Sequence, residues 1–199
     1  MPVEHRVLGL DRRTFPFGVF VVAVFLLFAV VVPRVDAAIT WDDPVAAGDE
    51  LALASTVVVA PPTGWNIEAG YRTDGSGAAS QSGEATVTGA GVVADLVPDS
   101  FDGTPAQLLA QIEKVTTATD DPTFRVDGAP TTTTTDSGEV GVLQPYSSVR
   151  GDGVIAAFVI DGTGVEVTAS GPQAQMRAAA PQIDEMIASI RATDSRGDS

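Results

Sequence analysis

The chain has no cysteine, a single histidine and a single lysine among 199 residues. Without cysteine no disulfide staples the fold and no lipid is attached through an N-terminal thiol, so core burial has to hold the protein together. The histidine is His5, close to the start. Everything after it lacks the imidazole needed for a Ser-His-Asp triad, a Cys-His pair or a histidine-ligated zinc site. With Lys114 as the only lysine and a net charge of −15, the clustered cations that release counterions from a phosphate backbone are missing too. Nucleic acid is thereby excluded as a partner, and anionic headgroups are repelled for the same reason.

What the chain does have is one long apolar run, from Phe15 to Val32, in which Val19 to Val32 holds nothing but apolar residues. Its length corresponds to roughly 27 Å of helix, slightly short of a hydrocarbon core of about 30 Å. His5, Arg6, Arg12 and Arg13 precede it while only Arg34 follows closely, and this bias keeps the N-terminus cytoplasmic. A cleaved signal peptide shares that layout, and Val35-Asp36-Ala37 offers a small-residue cleavage motif before Ala38. The uncleaved anchor is the favoured reading, because the run exceeds the usual ~7–15 residues of a signal core and Pro33-Arg34 intervenes. The expected organisation is a cytoplasmic tail (1–14), a single-pass transmembrane anchor or uncleaved signal (15–33), a linker (34–49), an extracytoplasmic domain (50–192) and a disordered tail (193–199). Three of the 11 Lys and Arg and two of the 26 Asp and Glu precede the run, which leaves eight against 24 beyond it, a net charge of −16. Such a charge serves the solubility of an exported domain.

Within the linker, Trp41 reads either as an interfacial indole or as a core residue. Glu50 to Val59 is β-branched at Thr56 to Val59 and reads as a strand stopped by Pro61-Pro62. Gly64-Trp65 turns into a second strand, Asn66 to Tyr71, with Trp65, Ile67 and Ala69 alternating against Asn66 and Glu68. Arg72 to Gly83 is too rich in Gly, Ser and Ala to offset ordering and is expected to be a mobile loop. Glu84 to Thr88 and Val92 to Val97 flank a Gly89-Ala90-Gly91 turn. Thr104, Pro105 and Gln107 then form a capping box for a helix whose apolar face is Leu108, Ile112 and Val115. Four strands follow, at Phe124–Asp127, Val140–Pro145, Val154–Ile160 and Val165–Ser170, as an antiparallel meander. A last helix places Met176, Ala180, Ile183, Ile187 and Ile190 on one stripe, with Pro181 expected to kink or restart it.

Strands, helix, strands and helix do not alternate as βαβ units, so the expected class is α+β: an antiparallel β-sheet with two packed helices, preceded by one transmembrane helix. Pro62-Thr63-Gly64-Trp65 at the opening of the meander and Met186-Ile187-Ala188-Ser189-Ile190 near the end resemble the PsbP-like fold, as in exported LpqN-type proteins of actinobacteria. The resemblance spans residues 50 to 192 and departs from the lipoproteins at the missing lipobox cysteine. It implies an accessory or binding role and carries over no functional residues.

Carboxylates are the chemistry that remains. Asp42-Asp43, Asp99 with Asp102, and Asp120-Asp121 supply pairs that could in principle hydrolyse a glycosidic bond. Beside Pro or Gly they read as turn residues instead, and aromatics for sugar stacking are few. No stretch fits an EF-hand, and Asp152, Asp161 and Glu166 among glycines read as hairpin turns rather than calcium ligands. Arg150-Gly151-Asp152 spells an adhesion tripeptide that arises readily by chance. Thr131 to Thr135 reads as a loop or strand edge, with an O-glycosylated tract as the alternative. No catalytic, cofactor or metal residue is assigned. The expectation is a membrane-anchored binding or accessory module of the cell envelope with a protein partner and no cofactor; the alternatives are a carboxylate-dependent glycan hydrolase and a carrier of an apolar ligand.

Overall fold

The structure, a computed structural model, describes residues 6–7, 10–11, 42–74, 79–120, 122–149 and 151–193. It divides into two compact units, residues 1–41 and Asp42–Ser199. In the first, β1 (Arg6–Val7) pairs antiparallel with β2 (Leu10–Asp11). The expected anchor at 15–33, Val35–Ala37 and Trp41 lie outside the described residues. Among the described residues no helix is long and apolar enough to cross a membrane.

The second unit is an α+β domain with an antiparallel sheet and two helices. Its strands are β3 (Leu51–Ala54), β4 (Val57–Val59), β5 (Asn66–Ala69), β6 (Ala85–Gly89), β7 (Val92–Ser100), β8 (Arg125–Val126), β9 (Thr131–Thr134), β10 (Val140–Ser148), β11 (Gly151–Ile160), β12 (Thr163–Gly171) and β13 (Arg191–Ala192). Its helices are α1 (Pro105–Val115), continued by a π-helical turn over Thr116–Asp120, and α2 (Gln173–Ala188). The main sheet has eight strands in the order β5-β6-β7-β12-β11-β10-β8, with β9 also paired to β10. Two of its hairpins close through two residues of positive φ, Ala90-Gly91 (52° and 78°) and Asp161-Gly162 (48° and 79°). Those are the conformations of a type I′ turn, whose twist matches that of the flanking strands.

The apolar run Val154–Ile160 sits on β11 because both faces of that strand are covered. Ala156, Phe158 and Ile160 point to one side, where Val87, Leu96 and Val167 of the sheet meet Ile183, Met186 and Ile187 of α2. The three-stranded sheet β13-β4-β3 closes the same layer, with Leu51, Leu53, Val57 and Val59 all buried. Ile155 and Ala157 point to the other side and pack with Leu108, Leu109 and Ile112 of α1 and with Phe124 and Tyr146, whose ring centroids are 4.7 Å apart. The two helices therefore occupy opposite faces of one sheet.

Several expectations are corrected. Glu50–Val59 is two strands rather than one: β3 and β4 form a hairpin across Ser55-Thr56, with a register shift between Ala52 and Ala54. Residues 42–49 do not form a free linker. Val45 is buried, its amide donates to the Trp65 carbonyl at 2.7 Å, and Pro44 bridges Asn66. The stripe on α2 uses Ala179 where Ala180 was expected, and Ala180 is exposed. On α1, Leu109 is buried while Val115 is half exposed at 51%. Helix α2 does not restart at Pro181 but runs as one helix from Gln173 to Ala188. Asp152 lies within β11, opposite Gly171, and is not a turn residue. Thr193, the first residue of the expected tail, donates its amide to the Thr56 carbonyl at 2.7 Å, and residues 194–199 lie outside the described set.

Candidate functional site

The sheet face that carries α1 is divided. α1 is seated over β10, β11 and β12, and no second helix among the described residues lies on this face. Its start is fixed locally: the Gln107 amide donates to Thr104 Oγ1 at 3.3 Å and the Thr104 amide donates to Gln107 Oε1 at 2.9 Å. Two of the orphan donors of the first turn are thus satisfied, and Pro105 at the first helical position has no N–H to satisfy. Gly164 lets the helix approach β12, since a Cβ there would lie 2.8 Å from Phe101 Cβ and 3.0 Å from Leu108 Cδ2.

Where α1 stops short of β7, a groove of about 320 Å³ opens. Val97, Leu108, Ile112 and Val115 give it an apolar floor and wall, and Asp99, Glu166 and Gln111 add polar groups. Val97 is the cross-strand partner of Glu166, and Asp99 that of Gly164, so alternation along β7 and β12 brings the two carboxylates to the same side. Beyond the groove the same face continues over β7, β6 and β5. Asp95 stands between Thr86 and Thr168 in the register, and Thr86 Oγ1 donates to Asp95 Oδ1 at 2.8 Å. Thr168 Oγ1 donates to Glu166 Oε1 at 3.2 Å, and Thr88 Oγ1 to Glu68 Oε1 at 3.0 Å. The strands β5, β6, β7 and β12 contain no Lys or Arg at all.

A second cleft, of about 390 Å³, lies between Pro61-Pro62-Thr63 and α2 and is lined also by Asp49, Asp136, Gln182, Glu185 and Ser189. Its serine is engaged structurally: Ser189 Oγ donates to the Met186 carbonyl at 2.6 Å and accepts the Ala60 amide at 2.9 Å. Trp65 packs behind this loop over Gly89, with its Nε1 donating to Gln182 Oε1 at 3.3 Å. Near β3, Arg72 binds Asp43 Oδ2 at 2.6 Å and Asp49 Oδ2 at 3.0 Å. The Arg72 hydrogen bond holds the Asp43 carboxyl below the usual carboxylate range. For Asp49 the larger cause is the Ala46 amide, with Arg72 adding to it, and the Arg72 guanidinium is raised in turn.

Of the residues weighed from sequence, Asp42 is exposed and Asp43 serves the Arg72 ion pair. Asp99 lines the groove, whereas Asp102 is exposed in the turn before α1. Asp120 ends the π-helical turn, and Asp121 and Arg150 lie outside the described residues. The carboxylate that shares the groove with Asp99 is Glu166, which is a strand residue of β12 and not part of a turn. Its signal in the sequence is the alternation Val165-Glu166-Val167-Thr168-Ala169, matched by Ala94-Asp95-Leu96-Val97 on β7. Among the described residues no group of three or more His, Cys, Asp or Glu is arranged to hold a metal. Thr131–Thr134 form β9, an edge strand on β10, and Thr135 is buried, its Oγ1 accepting the Glu139 amide at 3.1 Å.

No family model matches the chain, and no curated protein does. Among solved structures it is similar to cyanobacterial PsbP (CyanoP) from Synechocystis sp. PCC 6803, with 11% identity, 68% of this chain and 86% of that chain covered, and a TM-score of 0.48.

Proposed function

We propose that this protein is a binding or accessory module of the cell envelope, anchored in the membrane through residues 15–33 with its N-terminus cytoplasmic, and not an enzyme. The domain after the anchor holds a protein partner outside the cytoplasm. The observation that carries this reading is the divided sheet face: α1 covers only part of it, and the rest is a mainly polar surface beside an apolar groove. A sheet face that is not used for the core, next to a groove that is, suits a docking surface. The apolar run, the excess of positive charge ahead of it and the acidic remainder support the location. The finer resemblance, to LpqN-type exported proteins of actinobacteria, belongs with this reading.

The test is crosslinking of tagged full-length protein in intact cells that make it, followed by identification of the species bound. The expected result is a defined partner whose capture is lost when Val97 and Val115 are replaced by Asp, with the folded domain digested by protease added outside. Protease resistance in intact cells would overturn the location. Turnover of a cell-wall glycan by the purified protein, lost on Asp99→Asn or Glu166→Gln, would overturn the role.

A further inference from the structure

We propose that the groove beside α1 takes a basic, extended segment of a protein partner, in which Lys or Arg alternate with an apolar side chain that enters the groove. The proposal rests on the binding-module reading and names the chemistry of the partner. It starts from β7. Asp95, Val97 and Asp99 share one face of that strand, at steps of two residues, which places acid, apolar and acid groups about 7 Å apart. Val97 lies in the groove floor with Leu108 and Ile112, so the apolar position between the two acids leads into a recess. The complement of that row is a strand presenting base, apolar and base at the same spacing.

Charge selects the sign. Glu68, Asp95, Asp99 and Glu166 lie on strands that hold no Lys or Arg, and the threonine hydroxyls bound to Glu68, Asp95 and Glu166 fix where those carboxylates stand. The one lysine, Lys114, is on α1 and does not line the groove. A second copy of this chain would meet the same face with like charge, and an anionic ligand would be repelled. A basic segment gains from steering at long range and from desolvation of its apolar side chain at the recess, two contributions that respond differently to salt.

The experiment is a fluorescence anisotropy titration of full-length protein in detergent with three labelled peptides: alternating Lys-Ser-Leu-Ser, the same peptide with Leu replaced by Ser, and the same with Lys replaced by Glu. The expected order is tight binding by the first, weaker by the second and none by the third, with the first weakening as salt rises. In the double variant Asp99→Asn/Glu166→Gln the first peptide should bind about tenfold more weakly, equivalent to about 1.4 kcal/mol. Asp42→Asn/Asp184→Asn, which removes the same charge from exposed positions outside both clefts, should change affinity by less than about twofold. Equal loss in both double variants, or equal binding of the Leu and Ser peptides, would overturn the proposal, since binding would then follow net charge alone. If no peptide binds while the groove variants still abolish crosslinked partner capture, the partner chemistry is wrong and the binding-module reading stands. If the groove variants leave capture intact as well, both fall.

Discussion

The two faces of the main sheet are built from the same strands and treated in opposite ways. On the α2 side, β6, β7 and β12 present Ala85, Val87, Val92, Ala94, Leu96, Val165, Val167 and Ala169, every one of them buried, under a helix and a second sheet. On the α1 side the intervening residues of those strands are Thr86, Thr88, Val93, Asp95, Val97, Asp99, Gly164, Glu166, Thr168 and Ser170, polar except for the exposed Val93, the half-buried Val97 and Gly164. The buried apolar side chains that the main-sheet strands give to that side, Tyr146, Ile155 and Ala157, come from β10 and β11 under α1. A sheet needs one buried face to be stable, and burying the second is optional. The chain buries the second face only where α1 sits and leaves the rest to mainly polar side chains, with Val93 exposed among them, which is why the boundary between the two halves is the place to look for function.

Neighbouring residues on β7 test the contrast most directly. Leu96 is fully buried on the α2 side, and Val97 points the other way into the groove. Leu96→Ala removes packed volume from a closed layer and is expected to destabilise by about 2–5 kcal/mol. Val97→Thr, at a half-buried site open to water, should change stability by less than about 1 kcal/mol. Urea unfolding of the two variants checks both values. Equal losses would mean that the α1 side of β7 is core after all, and the groove would then be a packing defect rather than a surface for a partner.

A pair of glycines sharpens the comparison within the covered region. Gly141 faces Phe158 on the α2 side and Gly153 faces Tyr146 on the α1 side, each aromatic ring lying over its cross-strand glycine. A Cβ at Gly141 would lie 2.4 Å from Phe158 Cδ1 and 2.8 Å from the Ala157 carbonyl, and one at Gly153 would lie 2.4 Å from Tyr146 Cζ and 2.6 Å from the Ala169 carbonyl. Backbone oxygens at those distances cannot swing aside, so Gly141→Ala and Gly153→Ala are each expected to destabilise by about 1–3 kcal/mol. Similar losses, read from the unfolding midpoints, would show that the α1 side is packed as tightly as the α2 side wherever the helix covers it. A tolerated Gly153→Ala would instead extend the loose region under α1.

Features that depend on neighbours in sequence were readable before the structure. The capping box at Thr104 and Gln107, the turn at Gly89-Ala90-Gly91, the order of the β10, β11 and β12 meander, and the stripe through Ile183 and Ile187 all rest on spacings of a few residues. Features that depend on distant pairing were not. Strand β13 exists because Arg191 pairs with Val58, and residues 42–49 are ordered because Val45 and Asp43 bond to Trp65 and Ile67. Ala179 and Ala180 have the same side chain, so only the angle at which α2 meets the sheet decides which of them is buried. Half of the groove is legible in the sequence: Asp99 stands out as a candidate carboxylate, while Glu166 among glycines reads as part of a turn. Its role needed the register between β7 and β12, which no local pattern encodes.

The smallest expected effect concerns how carboxylates are held in the two parts of the domain. On the open face they rest against threonine hydroxyls, whereas Asp43 and Asp49 are gripped by Arg72 and have lowered pKa values. A carboxylate that is harder to protonate in the folded state contributes stability above its unfolded pKa, and that contribution disappears as pH falls through the folded value. The window therefore opens below about pH 4 and extends downward. Replacing Arg72→Leu removes the cation, while Asp49 keeps the Ala46 amide and so keeps part of its lowering. The variant should melt slightly below the parent at neutral pH, and the gap in Tm should close as pH drops from about 4 to 2, because the parent loses there what the variant never had. These charges are largely solvated, so the gap is expected to be small and to shrink further in high salt. A gap independent of pH and salt would show that Arg72 acts by packing its stem against residues 42–49, and the distinction between paired and hydroxyl-held carboxylates would lose its electrostatic basis.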